Sequence, residues 1–230
     1  MVQVSRRTGF TGSALIRLLA RLTDNGVPES KQAFAERLSH WLGWTDAISL
    51  SSALNGPPAS ANSGARSSAS AEERECTRVR TALVKAITEG TAFTADDFAP
   101  YRQRYLARQQ AMEAGIGPLR GRLRAVLAAR SPAMARLASV DAVMEQALEA
   151  HEHRLLATVP ALLEKHFKRL RQAHQAALDD AQVPVGSEES GGPPAAWLEA
   201  FGKAMQGVLL AELDIRLQPV EGLLEALRVK

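Results

Sequence analysis

The residues best equipped for chemistry in this chain are arginines set among aromatic side chains. Between Phe98 and Val140 stand eight arginines, no lysine and a single acid, Glu113, a net charge of +7. Arg102, Arg104 and Arg108 are interleaved with Phe98, Tyr101 and Tyr105, and Arg120, Arg122, Arg124, Arg130 and Arg136 follow. Planar guanidinium groups beside aromatic rings suit phosphate contact and base stacking, so nucleic-acid binding is one expectation. The other is internal. Asp141, Glu145, Glu149 and Glu152 recur at spacings of 4, 4 and 3, which sets them on one helix face. Arg120 and Arg124 also share a face, so an antiparallel neighbour carrying them can lie along that acidic stripe. Internal pairing is the favoured expectation, because no nucleic-acid-binding motif accompanies the arginines.

Other chemistry is harder to assemble. His151, Glu152 and His153 suggest a metal site, but helix neighbours two apart point to nearly opposite sides. The spacing His-Glu-x-x-His is absent. His151 and His166 fall on an apolar stripe, with His174 nearby, and are expected at the edge of a core rather than on a metal. No Gly-x-Ser-x-Gly and no phosphate loop occurs, and paired carboxylates such as Asp96 with Asp97 or Asp179 with Asp180 are ordinary surface pairs. Cys76 is the single cysteine, so no intrachain disulfide can form and a reducing compartment is expected. Arg74, Arg78 and Arg80 beside it are a setting that lowers a thiol pKa, although an inert cysteine is the plainer reading. The expectation is a non-enzymatic protein with no catalytic residue, metal or cofactor.

The elements that must position these residues are helices. Only 5% of the chain is aromatic, and Ala, Leu, Arg, Glu and Gln dominate, the composition of long amphipathic helices. Ser13 caps a first helix to about Asp24, with Leu15, Ile16, Leu18, Leu19 and Leu22 as its apolar face. Pro28 opens a second, carrying Phe34, Leu38 and Trp41, and Gly43 ends it. Thr45 or Asp46 caps a third, with Ile48, Leu50 and Leu54. Trp41 and Trp44 are the expected fillers of this N-terminal three-helix module, residues 1–54. Residues 55–71 form a Ser/Pro/Gly linker.

Residues 72–181 are expected as an Arg-rich helical bundle. Ser70 with Glu73, and Thr94 with Asp97, read as capping boxes. Gly117 and Pro118 read as a turn, and Ser131 with Pro132 as a helix start. From 139 to 181 apolar residues recur at coiled-coil-like spacing, with Pro160 as a kink or break. A second linker spans 182–194. The amphipathic C-terminal helix, 195–230, has Leu198, Phe201, Met205, Leu209, Leu213, Leu217, Val220, Leu224 and Leu227 as its seam, and Pro219 as a bend. Residues 188–230 hold four basic and seven acidic residues, a net −3. Strand alternation is nowhere convincing. The fold class is all-α: a helical bundle with flexible linkers and no substantial sheet.

No apolar run approaches the ~20 residues of a membrane helix, and no signal peptide follows Arg6 and Arg7. The chain is expected in the cytoplasm. Its overall +3 is too small to imply attraction to nucleic acid by itself. Candidate contact residues for a protein partner, or for a second copy in a homo-oligomer, are Tyr101, Arg102, Tyr105, Arg108, Arg120 and Arg124. On the terminal seam they are Leu209, Leu213 and Leu217.

The run Arg7, Thr8, Gly9, Phe10, Thr11, Gly12 is followed by Leu15-Ile16-Arg17-Leu18-Leu19 and Ala33-Phe34-Ala35-Glu36-Arg37-Leu38. The segment from Trp41 to Leu50 completes the pattern. Over residues 6–54 this resembles a proteobacterial, Burkholderia-like, helical domain family of unknown function. Members of that family tend to be encoded beside envelope proteins with an OmpA-like peptidoglycan-binding domain. The resemblance therefore implies an interaction or scaffold protein accessory to an envelope-associated complex. The alternative is a nucleic-acid-binding accessory protein using the arginines of 98–140.

Overall fold

The computed structural model describes residues 14–23, 41–56, 69–89, 96–180 and 196–228, and the account below concerns those residues. They are built of α-helices with no strand among them: α1 (Ala14–Thr23), α2 (Trp44–Asn55), α3 (Ala69–Thr88), α4 (Ala99–Ala128), α5 (Pro132–Leu156), α6 (Val159–Asp180) and α7 (Ala196–Arg228). The expected all-α bundle is the observed fold.

Helix α4 runs unbroken through the Gly117-Pro118 position, where the sequence suggests a turn. Proline has no N–H for the carbonyl four residues back, and inside a helix this costs ~3 kcal/mol. Tyr101, Tyr105, Met112, Ile116, Leu119 and Leu123 are all buried, on one continuous stripe that crosses the proline. Burying each large apolar side chain contributes about 1.5–3 kcal/mol, so the stripe outweighs the lost hydrogen bond. Pro160 does mark a break. Helix α5 ends at Leu156, and the Thr158 carbonyl accepts from the Leu162 N–H to begin α6 with Pro160 in its first turn. Pro132 opens α5 as expected, and Ser131 before it caps the helix, its hydroxyl accepting from the Met134 N–H at 3.2 Å.

Helix α7 is the centre of the molecule, packing on α4, α3, α6 and α1. Its seam is buried from Trp197 to Leu227 except at Leu224, which is partly buried while Leu223 beside it is enclosed; Phe201 and Val208 are fully buried. At its N-terminal end the scarce aromatics gather. Phe167 of α6 lies 5.1 Å from both Trp197 and Phe201, and Tyr101 of α4 lies 5.3 Å from Phe201, with tilted or edge-on rings. Such geometry suits the ring quadrupoles. The terminal helix is thus a main constituent of the core, its apolar seam packed on its own bundle.

The N-terminal helices are divided between two surfaces. Helix α1 buries Leu15 and Leu22 in the same apolar cluster as α3, α4, α6 and α7. Helix α2 packs on α5 and buries no residue of its own. The tryptophans read as fillers are not enclosed: Trp44 is 82% exposed, and Trp41 is 39% exposed with its ring stacked on His151. Asp46 accepts the Gly43 N–H at 2.9 Å at the start of α2. The caps expected at Ser13 and Thr94, the helix carrying Phe34 and Leu38, and most of both linkers lie outside the described residues.

Candidate functional site

A polar ladder links α4 to α7 through the apolar core. Tyr105, Gln109 and Glu113 follow one another at i,i+4 along α4, and Glu212 and Arg216 do so along α7. Glu212 is fully buried, and burying a carboxylate is tolerated only when donors replace its water. Three donors do so: the Tyr105 hydroxyl at 2.5 Å, Gln109 Nε2 at 3.0 Å and Arg216 Nε at 3.0 Å. Burial, and then the Glu212 charge, push the Tyr105 phenol far above its usual range, so it remains a donor. Arg216 reaches onward to Glu113 at 3.4 Å and to Glu152 of α5 at 3.7 Å.

The ladder opens into a groove of about 990 Å³ between α4, α5 and α7. Its apolar lining comes from Met112 and Ile116, from Met144 and Leu148, and from Ile215. Glu113, Glu145, Glu149 and Glu152 edge it. A smaller cavity of about 410 Å³ shares Glu113, His153 and Arg216 with the groove and extends past Gln109 to Arg102 and Glu164.

Arg120, which lines the groove, and Arg124 one turn further along α4 tie α4 to α5. Arg120 donates twice to the Asp141 carboxylate, at 2.7 and 2.8 Å, and lies 3.2 Å from Glu145. Arg124 lies 3.0 Å from Asp141 and pairs with Glu145. The acidic stripe and the arginines meet across antiparallel helices, the internal pairing favoured above. Burial opposes the Arg120 charge, but Asp141 and Glu145 outweigh it and raise the pKa further.

The remaining arginines have separate fates. Arg122 donates at 2.9 and 3.1 Å to Glu72, a fully buried carboxylate of α3. Arg130 donates to the Leu227 carbonyl, and Arg104 lies 5.9 Å over the Tyr101 ring. Arg108 is half-buried and Arg136 exposed, neither lining the groove.

Of the nine residues read as partner contacts, the structure brings only some to a surface. Arg120 lines the groove and Arg102 the smaller cavity. Tyr101, Tyr105, Leu209, Leu213 and Leu217 are at most 3% exposed, because each sits on the apolar stripe of α4 or α7. They are core residues, not surface contacts. Cys76 is also buried, and burial, followed by Glu72 and Glu75, pushes its thiol up to about 11, so the neighbouring arginines do not activate it.

The ladder itself escaped the sequence reading. Its signal was present in Glu212, an acid at apolar-stripe spacing between Val208 and Leu213, and in Gln109, on the line from Tyr105 to Met112.

Among the described residues no helix is long and apolar enough to cross a membrane, and no three His, Cys, Asp or Glu side chains gather as metal ligands. No curated protein matches the chain, and no solved structure does. A family model matches residues 1–229, far beyond the 6–54 segment that carries the resemblance; the chain belongs to that family, described as a protein of unknown function (DUF3348).

Proposed function

We propose that this is a non-enzymatic interaction protein, a helical platform that takes a partner's segment into the groove between α4, α5 and α7. One observation carries the reading. The groove offers a methionine-, isoleucine- and leucine-lined trough beside carboxylates, on helices fixed from beneath by the Tyr105–Glu212–Arg216 ladder. A rigid apolar trough with a polar edge is how folded proteins capture amphipathic helices. The ladder's groups satisfy one another's hydrogen bonds, as structural groups do. The buried, high-pKa Cys76 suits work in the cytoplasm, where thiols stay reduced. An accessory protein of an envelope-associated complex, as the resemblance implies, would use such a platform.

Photo-crosslinking in native cells tests the proposal. A photoreactive amino acid at Gln146 or Gln218, both in the groove, is expected to give protein adducts. The same group at the exposed Gln103 of α4, outside it, is expected to give none. Ala142→Trp, which fills the groove, is expected to abolish the adducts. Equal adducts from all three positions, or none from the groove, would contradict the reading.

A further inference from the structure

We infer that the groove's occupant is a basic amphipathic helix of a partner protein, about three turns long; this rests on the interaction reading above. The length follows from the α5 wall. Its lining residues run from Ala142 to His153, and at 1.5 Å per residue that is about 17 Å, or three turns. Along that wall the side chains are uneven in size. Ala142 and Ala150 are small, and a Cβ added at Gly117 of α4 would meet nothing within 4 Å. A partner backbone can therefore approach closely. Met144 is unbranched and polarizable, and adapts to an apolar stripe of varied shape.

The sign of the partner's charge follows from the ion pairs. The guanidinium groups that line the groove among the described residues are already held: Arg120 by Asp141 and Glu145, and Arg216 by Glu212, Glu113 and Glu152. Counting Arg124 with them, among the described residues three guanidinium groups face six carboxylates: Glu113, Asp141, Glu145, Glu149, Glu152 and Glu212. The surplus is negative and lies at the open edge. Glu149 has no ion pair among the described residues. Glu113 and Glu152 are about half exposed and reach Arg216 at 3.4 and 3.7 Å, farther than its 2.9 Å pair with Glu212. Exposed pairs of this kind contribute little to stability. Both carboxylates can therefore turn to an incoming lysine or arginine while Arg216 stays paired with Glu212. An acidic or neutral helix would leave the surplus uncompensated, so the groove discriminates by charge as well as by shape.

The test uses the full chain and three synthetic helical peptides of equal length with one leucine stripe, their polar faces lysine, glutamine or glutamate. Fluorescence anisotropy measures binding at low and high salt, with sedimentation velocity alongside. The lysine peptide is expected to bind about tenfold more tightly than the glutamine peptide at low salt, a gap that narrows as salt rises. The glutamate peptide is expected to bind weakest. Joint replacement Glu149→Gln and Glu152→Gln, with an unchanged circular dichroism spectrum, is expected to erase most of that gap. Equal binding of lysine and glutamine peptides would overturn the inference while leaving an uncharged helix platform standing. Absence of binding by all three would also overturn it, with the platform reading then judged by the groove crosslinks alone. A dimer that dissociates on Ala142→Trp would overturn it as well, by making a second copy the occupant.

Discussion

The Tyr105 hydroxyl donates to the Glu212 carboxylate across 2.5 Å, tying α4 to α7 at a point neither side chain shares with solvent. Because α7 is the central helix, this contact bears on the whole fold. Tyr105→Phe removes one donor from a buried charge and is expected to cost about 1.5–3 kcal/mol. Glu212→Ala strands a phenol, an amide and part of the Arg216 charge, and is expected to cost about 3–5 kcal/mol. Urea unfolding of the two single variants and the double variant measures both. The double variant should cost clearly less than the sum of the two; simple additivity would mean the groups are not coupled.

Burial separates the ion pairs that matter from those that do not. Asp141 and Arg120 are only 15% and 14% exposed, whereas Asp214 and Arg80 are 58% and 47% exposed at a similar separation. Asp141→Asn is expected to lower stability by about 2 kcal/mol, between the surface and buried limits. Asp214→Asn is expected to cost less than about 0.5 kcal/mol. Equal losses in thermal or urea unfolding would show that burial does not decide the contribution.

How far the sequence could be read depended on whether a signal stayed on one helix. The seam of α7, the helix start at Pro132, the break near Pro160 and the meeting of Arg120 and Arg124 with Asp141 and Glu145 all follow from signals along single helices. Reading Pro118 as a turn cut the stripe of α4 in two. Tyr101 and Tyr105 then looked like aromatics among arginines rather than the first members of a line ending at Leu123. The Glu212 network was not legible in the same way. An acid at seam spacing signals an unusual position, but two of its three donors, Tyr105 and Gln109, come from another helix about 100 residues away.

His166 gives the pH dependence a sign. Burial lowers its pKa below the usual 6.5. Arg169 lies 3.1 Å from its Nδ1, and since guanidinium only donates, the ring is neutral with its proton on Nε2. With the folded pKa depressed, the unfolded chain takes up the proton first as pH falls. The contribution of His166 is therefore complete above about 6.5 and declines from there down through the folded pKa. His166→Gln is expected to lose less stability than wild type between pH 7 and pH 5. Parallel losses in the two proteins would rule this out.

Cys76 should be silent while the chain is folded. A thiol held near pKa 11 and 8% exposed offers little thiolate to an alkylating reagent. Iodoacetamide at pH 8 is expected to label the native chain at least about a hundredfold more slowly than the urea-unfolded chain. Labelling at comparable rates, followed by mass spectrometry, would place the thiol at a surface.

Whether the groove receives a partner's helix can be read at its own wall. The methionines include Met144 in the groove, Met205 deep in the core and Met134 packed against the core at the start of α5. In a chain carrying 13C-methyl methionine, the lysine-faced peptide is expected to shift the Met144 methyl resonance and leave Met205 and Met134 in place. Ala142→Trp is expected to remove that response. A spectrum in which Met134 moves while Met144 stays still would contradict the account, because binding would then lie elsewhere on the molecule.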